Sequence, residues 1–456
     1  MNTKVELQEN KMGTMPVMKL IINMSLPIMI SMLLTAFYNI VDSYFVAKIS
    51  QDAFTAVSLA FPIQNLMISF AVGTSIGVNS FLAKRLGQKN QEDVNRSAMN
   101  GILLAVLNYI LFLLFGLFFI KIYVSSQTPV ETIIKYGIEY LSIIIFWSFG
   151  IMCQCMFDRL LQATGKTFFS MISQLSGAIF NIIFDPILIF GLGPFKAMGI
   201  KGAAYATVFG QVLGLIVSVY LNLRYNKEIQ FKIKNLIPKW EIIKNIYKVG
   251  IPSILMNSIT SFITYFMNLI LGQFSMTAIN VYGAFIKMNS FVFMPVFGLN
   301  SGIIPIIAYN YGAQHKERIK KTIKGGLLAA FAIMTVGVLA FELIPGILFR
   351  LFSADEEMLR IGIPAFRTIA PSFLGAAFAI TLSSVFQAFG RALYSMTVSF
   401  SRQLVVFLPS AYLLSKTGNV NNVWFCFLIA EIMSVGVSFI FYQRIKSKIK
   451  KLPDNI

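Results

Sequence analysis

The sequence predicts an all-α integral membrane protein, with twelve transmembrane helices in two parallel six-helix bundles around a central cavity. Three observations carry this prediction: the composition, the number of apolar runs and an internal duplication. Of the 456 residues, 56% are hydrophobic and 12% are charged, whereas a soluble domain is about 45–50% apolar and about 25% charged. With a mean hydropathy of +0.72, most of the surface must face lipid. Soluble enzymes, secreted disulfide scaffolds and disordered proteins are therefore excluded.

Apolar runs of membrane-spanning length recur along the whole chain. A transmembrane helix needs about 20 mostly apolar residues. Charge-poor runs of this kind, here called spans 1 to 12, lie at residues 20–47, 53–83, 97–120, 132–157, 167–193, 197–222, 242–271, 278–308, 322–345, 361–383, 392–415 and 422–443.

The basic residues indicate how these spans are oriented. Of the 38 Lys and Arg, 27 lie in the two terminal segments and every second gap or at the span ends beside them, and eight lie in or beside the other gaps. The remaining three are assigned to the interior of spans: Lys287, Arg367 and Arg402. By the positive-inside rule both termini are expected to be cytoplasmic. The net charge of +19 is thus explained by topology, and no nucleic-acid partner is expected.

The second half of the chain repeats the first at a constant offset of 225 residues. Each half contains six spans, so both halves enter the membrane from the same side as parallel repeats, an architecture of transporters. We predict an N-terminal bundle at 1–223, a basic cytoplasmic linker at 224–241 and a C-terminal bundle at 242–456. The matching positions include Pro27 with Pro252, Gly73 with Gly298, Gly77 with Gly302, Gly87 with Gly312, Gln162 with Gln387 and Gly165 with Gly390.

Two carboxylates lie within the predicted first bundle. Asp42 follows Tyr38 by four residues in the outward half of span 1, and Asp185 follows Asn181 by four residues in the outward half of span 5. Carboxylates inside a bilayer are costly and usually functional. Similar depth would let the two acids meet. Together they could exchange protons near neutral pH or offer oxygens to a sodium ion.

The duplication does not extend to these acids. Met267 stands at the position equivalent to Asp42, and Ser410 at the position equivalent to Asp185. A purely architectural pair would more plausibly have been kept in both halves, so a functional role is favoured. The alternative that stays open is a polar pair that pins two helices together.

Other polar residues within spans are less specific. Gln154 and Asp158, four residues apart near the inner end of span 4, would either line a substrate cavity or end the helix. Lys287 in span 8 and Arg367 in span 10 would either line the cavity or neutralise a carboxylate.

Glu431 in span 12 and Glu342 in span 9 have no evident charged partner in the sequence. Each would be an interfacial or packing residue, or else a second coupling group. The thiols of Cys153 and Cys155 have no second ligand pair, and His315 is the only histidine, so no metal or other cofactor is expected.

Taken in order, several motifs resemble the MATE (multidrug and toxic compound extrusion) family. Within it, the prokaryotic DinF-like group and its MepA-type multidrug branch are the most similar. The motifs are Leu26-Pro27-Ile28 followed by Tyr38 and Asp42, Gly73-x-x-x-Gly77, Gln162-Ala-x-Gly165-Lys166, Asn181-x-x-x-Asp185-Pro186, and Gly298-x-x-x-Gly302.

This resemblance implies specific roles for residues at the matching positions. It implies a cation-coupling site at Asp42, Asp185, Asn181 and Tyr38. It also implies a hinge at Pro27 in the first helix. The polar groups assigned to a drug cavity are Gln154, Asp158, Thr207 and Lys287. The match of Thr207 to a further hydroxyl of the site is the loosest, and Lys287 is included from its position inside a span.

We therefore expect a secondary active exporter in a prokaryotic cytoplasmic membrane, and no enzymatic activity. It would exchange amphipathic, mostly cationic drugs for protons rather than sodium ions, and a monomer would suffice. The alternative is a flippase for lipid-linked saccharides. That function favours a strongly cationic cavity, which three cations within spans supply poorly.

Overall fold

The computed structural model describes residues 10–350 and 355–453, and every regular element in them is a helix. Nine helices are long and apolar enough to cross a membrane by themselves, and two bent helix pairs each supply one more crossing. The unbroken run from Ala392 to Ser415 supplies the twelfth. The predicted twelve helices are thus confirmed among the described residues.

In chain order, spans 1 to 12 are Val17–Ile49, Gln51–Gly87, Gln91–Gln127, Glu131–Phe146 with Phe149–Ala163, Thr167–Phe190, Ile200–Tyr225, Trp240–Gly272, Met276–Gly312, Lys316–Leu343, Glu356–Ile369 with Ser372–Ala388, Ala392–Phe400 with Ser401–Phe407 and Leu408–Ser415, and Phe425–Lys450. Four short helices lie outside the spans: Lys11–Thr14, Ile233–Leu236, Pro345–Arg350 and Val420–Val423.

Most helices continue beyond the apolar runs that predicted them. Span 3, predicted at 97–120, begins at Gln91 and ends at Gln127. Its first turn is polar, and the side chain of Asn90 accepts a hydrogen bond from the backbone N–H of Asp93 to cap it. Hydropathy detects the apolar part of a helix, whereas hydrogen bonding and capping decide where the helix ends.

Two spans are bent and a third changes its winding where the sequence predicts regular, continuous helices. Span 4 bends by 42° after Phe146, and span 10 bends by 49° after Ile369, at equivalent places in the two repeats. Pro371 lies in the second bend and cannot donate a backbone hydrogen bond. Span 11 contains a seven-residue π-helix at Ser401–Phe407, a rare conformation that is frequent at functional sites.

Spans 1–6 form the N-lobe and spans 7–12 the C-lobe, and glycines of the repeat let the lobes approach closely. A Cβ added at Gly77 of span 2 would lie 3.1 Å from the carbonyl carbon of Ile246 on span 7. One added at Gly302 of span 8 would lie 2.9 Å from the Cα of Ser25 on span 1. Glycine is therefore required at both positions, because the backbone of a helix from the other lobe lies directly against them.

We expect Gly302→Ala to destabilise the protein by about 1–3 kcal/mol, because the added methyl group overpacks the contact with Ser25. Gly436→Ala is the matched control, since a Cβ there meets no atom within 4 Å. The measurement is thermal unfolding of the purified protein in detergent. Equal stability of the two variants would contradict the proposed close approach of the lobes.

Candidate functional site

The structure brings Asp42 and Asp185 together. Their carboxyl groups, on spans 1 and 5, lie within hydrogen-bonding reach of each other. Asp185 is fully buried, and Oδ1 of Asp42 is buried without a hydrogen-bond donor. Two carboxylates are both acceptors, so they can bond to each other only through a shared proton or a bound cation.

The amide of Asn181 links Asp185 to span 6. Its Nδ2 donates to Asp185 Oδ1 at 3.4 Å and to Thr207 Oγ1 at 3.3 Å. With the amide turned over, Nδ2 donates to Asp185 Oδ2 at 3.2 Å and Oδ1 accepts from the backbone N–H of Thr207 at 3.3 Å. In both orientations Asn181 donates to Asp185, as its position one turn earlier on the same helix face requires.

Two tyrosines complete the surroundings of the acids. Tyr38 lies one turn before Asp42 and is close enough to interact electrostatically with both carboxyl groups. Tyr140 on span 4 also interacts with both acids, and its hydroxyl accepts a hydrogen bond from Gln64 Nε2 of span 2 at 3.2 Å. The sequence analysis missed Tyr140 and Gln64. The polar pair Gln64-Asn65 inside an apolar run was the available signal for Gln64, but no local motif distinguishes Tyr140.

The acids of this site have no basic counterpart. Among the described residues, no ion pair includes Asp42 or Asp185. Their neighbours are neutral amide and hydroxyl groups. Such an arrangement is chemically able to hold a proton or a small cation between its carboxyl groups, because no lysine or arginine neutralises them permanently.

Gln154 and Asp158 lie in a separate polar cluster inside the N-lobe. Both are buried. Asp158 is within hydrogen-bonding reach of Ser173 and Gln174 on span 5. Gln154 packs over Gly214 of span 6, where a Cβ would lie 2.6 Å from its Cδ. The two side chains therefore fill the contact between spans 4, 5 and 6.

The four residues assigned to a drug cavity do not form a single group. Thr207 bonds to Asn181 and so belongs with Asp42 and Asp185. Lys287 is exposed on the wall of a C-lobe cavity of about 480 Å³, which Asn280 and Asp355 also line. Together with Gln154 and Asp158, these residues lie in three places.

Pro27 lies inside the continuous helix of span 1. Because proline has no N–H, the carbonyl of Asn23 one turn earlier lacks its helical donor. The hydroxyl of Thr167 on span 5 donates to this carbonyl at 3.3 Å. The hinge role of Pro27 remains a prediction. Bending of span 1 at Pro27 would change the hydrogen bond between Thr167 and the carbonyl of Asn23.

The expectation that Glu431 lacks a charged partner was wrong. Arg402 Nη1 donates to Glu431 Oε1 at 2.6 Å, and the two side chains are 25% and 11% exposed. The pair joins the π-helix of span 11 to span 12. Arg367 is exposed, and its Nε donates to the backbone carbonyl of Glu342 at 3.3 Å.

Comparisons with known proteins agree with this architecture. The MatE family profile matches residues 27–187 and again 252–413, and the two matches begin 225 residues apart. A FAD transporter of Shewanella oneidensis is 25% identical, over 95% of this chain and 96% of the relative. The multidrug export protein MepA of Staphylococcus haemolyticus is 27% identical, over 94% of each chain.

Solved structures show the same fold. A MATE structure in complex with MaL6 has a TM-score of 0.91 at 24% identity, covering 97% of this chain and 99% of that one. An outward-facing multidrug resistance MATE family transporter of the MOP superfamily has a TM-score of 0.90 at 24% identity, covering 95% and 97%. The resemblance inferred from the motifs is confirmed, and the chain belongs to the MatE family of multi-pass membrane transporters.

Proposed function

We propose that this chain is a secondary active multidrug exporter that exchanges amphipathic, mostly cationic compounds for protons. The observation that carries the proposal is the pairing of Asp42 with Asp185 without a basic partner. Membership of a transporter family supports it, as does similarity to MepA multidrug export proteins.

The acid pair couples ion and drug movement through charge. When both carboxyl groups are ionised they repel each other across spans 1 and 5, and an apolar environment strengthens this repulsion. A proton removes one charge and allows a hydrogen bond between the two groups. Protonation thus draws the two spans together, and proton loss separates them.

The surroundings of the acids favour a proton over a sodium ion. Asn181 donates an N–H to Asp185, and the nearby tyrosine hydroxyls are also able to donate. An N–H group cannot ligate a metal cation. A proton can be shared by the two carboxyl groups alone, whereas a hard metal cation requires several further oxygen ligands. A pH gradient drives such an exchange, and the membrane potential adds about 2.3 kcal/mol per 100 mV for each elementary charge that enters in excess of the charge leaving on the drug.

We assign the end of the bundle that carries both termini to the cytoplasm, because the basic gaps lie at that end. The membrane is then the cytoplasmic membrane of a prokaryote. Asp42 and Asp185, in the far halves of their spans, are nearer the external side. A single chain contains both lobes, so we propose a monomer as the transporting unit.

The test is uptake of ethidium into everted membrane vesicles with either a pH gradient or a sodium gradient imposed alone. We expect an acidic lumen to drive uptake and a sodium gradient to have no effect. Uptake driven only by sodium would contradict the choice of ion. No gradient-dependent uptake of any cationic dye by correctly inserted protein would contradict drug export.

A second candidate is export of an anionic flavin dinucleotide, favoured by the similarity to a FAD transporter over 95% of this chain. The same vesicles, supplied with FAD outside, distinguish the two. We expect ethidium to accumulate and FAD to remain outside. The reverse result would assign the dinucleotide as the substrate.

A further inference from the structure

The duplication creates two equivalent seams between the lobes at the end that carries both termini. The first seam lies between spans 8 and 1, and the second between spans 2 and 7. The offset of 225 residues relates Gly165 and Lys166 beside the first seam to Gly390 and Arg391 beside the second. The two places can therefore be compared residue by residue.

The chain itself fills the first seam. Asn10 Nδ2 donates to the carbonyl of Thr164 at 2.9 Å, and a Cβ at Gly165 would lie 3.2 Å from Cε of Lys11. The two cations of this seam, Lys11 and Lys166, have a carboxylate between them, because Lys166 forms an ion pair with Glu228 at 3.3 Å and Lys11 interacts with the same carboxylate. Protein atoms thus supply both the packing and the negative charge.

The second seam has neither feature. A Cβ at Gly390 meets no atom within 4 Å. Four cations gather beside it: Lys84, Lys248, Arg391 and Lys448. Lys84 is repelled by its neighbour Arg85, which itself pairs with Asp93, and by Lys248 and Lys448. Lys448 is repelled by Arg391 and Lys248. In the described parts of the chain, none of the four forms an ion pair.

Aromatic side chains accompany these cations. Lys84 Nζ lies 5.1 Å from the ring centre of Tyr311. Tyr394 stacks on Phe441 with 4.4 Å between ring centres, and Arg444 lies 5.6 Å from the ring centre of Phe441. Tyrosine and basic residues at the ends of apolar spans are typical of the lipid headgroup level.

We propose that the second seam binds the phosphate headgroup of an anionic phospholipid from the cytoplasmic leaflet. Basic side chains at a membrane surface attract anionic lipid, and each of the four cations adds to that attraction. The open space at Gly390 admits a headgroup where the equivalent Gly165 is covered. The acyl chains remain in the leaflet, along the apolar flanks of spans 7 and 12.

The bound headgroup would connect the two lobes. Lys84 belongs to the N-lobe, whereas Lys248, Arg391 and Lys448 belong to the C-lobe. Negative charge between them relieves a repulsion that otherwise favours separation of the lobes at this end. The lipid therefore takes the place in the second seam that Asn10, Lys11 and Glu228 have in the first.

The experiment is native mass spectrometry of the full-length protein, titrated with dioleoylphosphatidylglycerol or with dioleoylphosphatidylcholine. Wild type is compared with the triple variant Lys248→Gln, Arg391→Gln, Lys448→Gln. The matched control also removes three positive charges, from exposed positions near Lys448 in the C-terminal part of the chain: Lys446→Gln, Lys450→Gln, Lys451→Gln. Lys84 is left unchanged because it packs on Tyr311.

We expect one phosphatidylglycerol to be retained by wild type and control, with affinity lowered at least about tenfold in the triple variant. The preference should weaken as salt rises, since exposed charges are screened. Equal affinity in all three proteins, or no preference over phosphatidylcholine, would overturn the proposal. Equally tight binding of inorganic phosphate would overturn the assignment to a lipid. Because binding is measured without transport, the outcome is independent of the proposed antiport.

Discussion

Replacing Asp42 by asparagine is expected to reduce gradient-driven ethidium transport to the rate of vesicles that lack the protein. Asparagine has nearly the same shape but cannot bind or release a proton, so Asp185 loses the partner with which it shares one. The protein should still fold and insert, because a neutral amide in an apolar site costs less than a charge. The measurement is dye uptake under a pH gradient, normalised to protein in the membrane.

The control for this prediction is Glu131→Gln, which removes one exposed acid from the same lobe and should leave transport unchanged. Asp185→Asn should cause the same loss as Asp42→Asn, and the double variant should be no worse than either single one, because the two acids act as a unit. Near-normal transport by Asp42→Asn at normal expression would refute its coupling role.

Replacing Glu431 by glutamine is expected to lower the free energy of unfolding by about 2–3 kcal/mol. The change leaves the guanidinium of Arg402 mostly buried without its carboxylate, and breaking a buried pair in this way is costly. The 25% exposure of Arg402 places the effect below that of a fully buried pair. The measurement is thermal or denaturant unfolding of the purified protein.

Removing both partners together should restore most of that stability. In the double variant Arg402→Met, Glu431→Leu no buried charge remains, and apolar replacements of a buried pair are often neutral or stabilising. A double variant as unstable as the sum of the single ones would show that the two residues are not coupled, contrary to the 2.6 Å contact.

The two lobes thus differ in whether a buried acid has a basic partner. The pair of Arg402 and Glu431 joins spans 11 and 12, and Asn181 and Thr207 join the equivalent spans 5 and 6. In the C-lobe, Glu431 has a permanent counter-charge in Arg402, so a proton would bind to it only at the expense of that ion pair. In the N-lobe, Asp42 and Asp185 have no such partner among the described residues, and a mobile cation is the counter-charge available to them. This asymmetry supports coupling in the first repeat.

The sequence by itself determined the fold class, the twelve spans and the duplication, because these depend on composition and on spacing along the chain. It also predicted that Asp42 and Asp185 would meet, since both lie at similar depth in the same repeat. The duplication also identified Gly77 and Gly302 as equivalent positions. Each of these inferences requires only distances measured along the sequence.

The tertiary structure alone decided which side chains of different helices touch. It added Tyr140 and Gln64 to the acids, gave Glu431 its partner Arg402, and left Gly390 open where Gly165 is covered. These contacts depend on the rotation, tilt and bending of each helix about its axis. Apolar periodicity fixes these quantities poorly in a membrane, because lipid-facing and core-facing surfaces are both apolar.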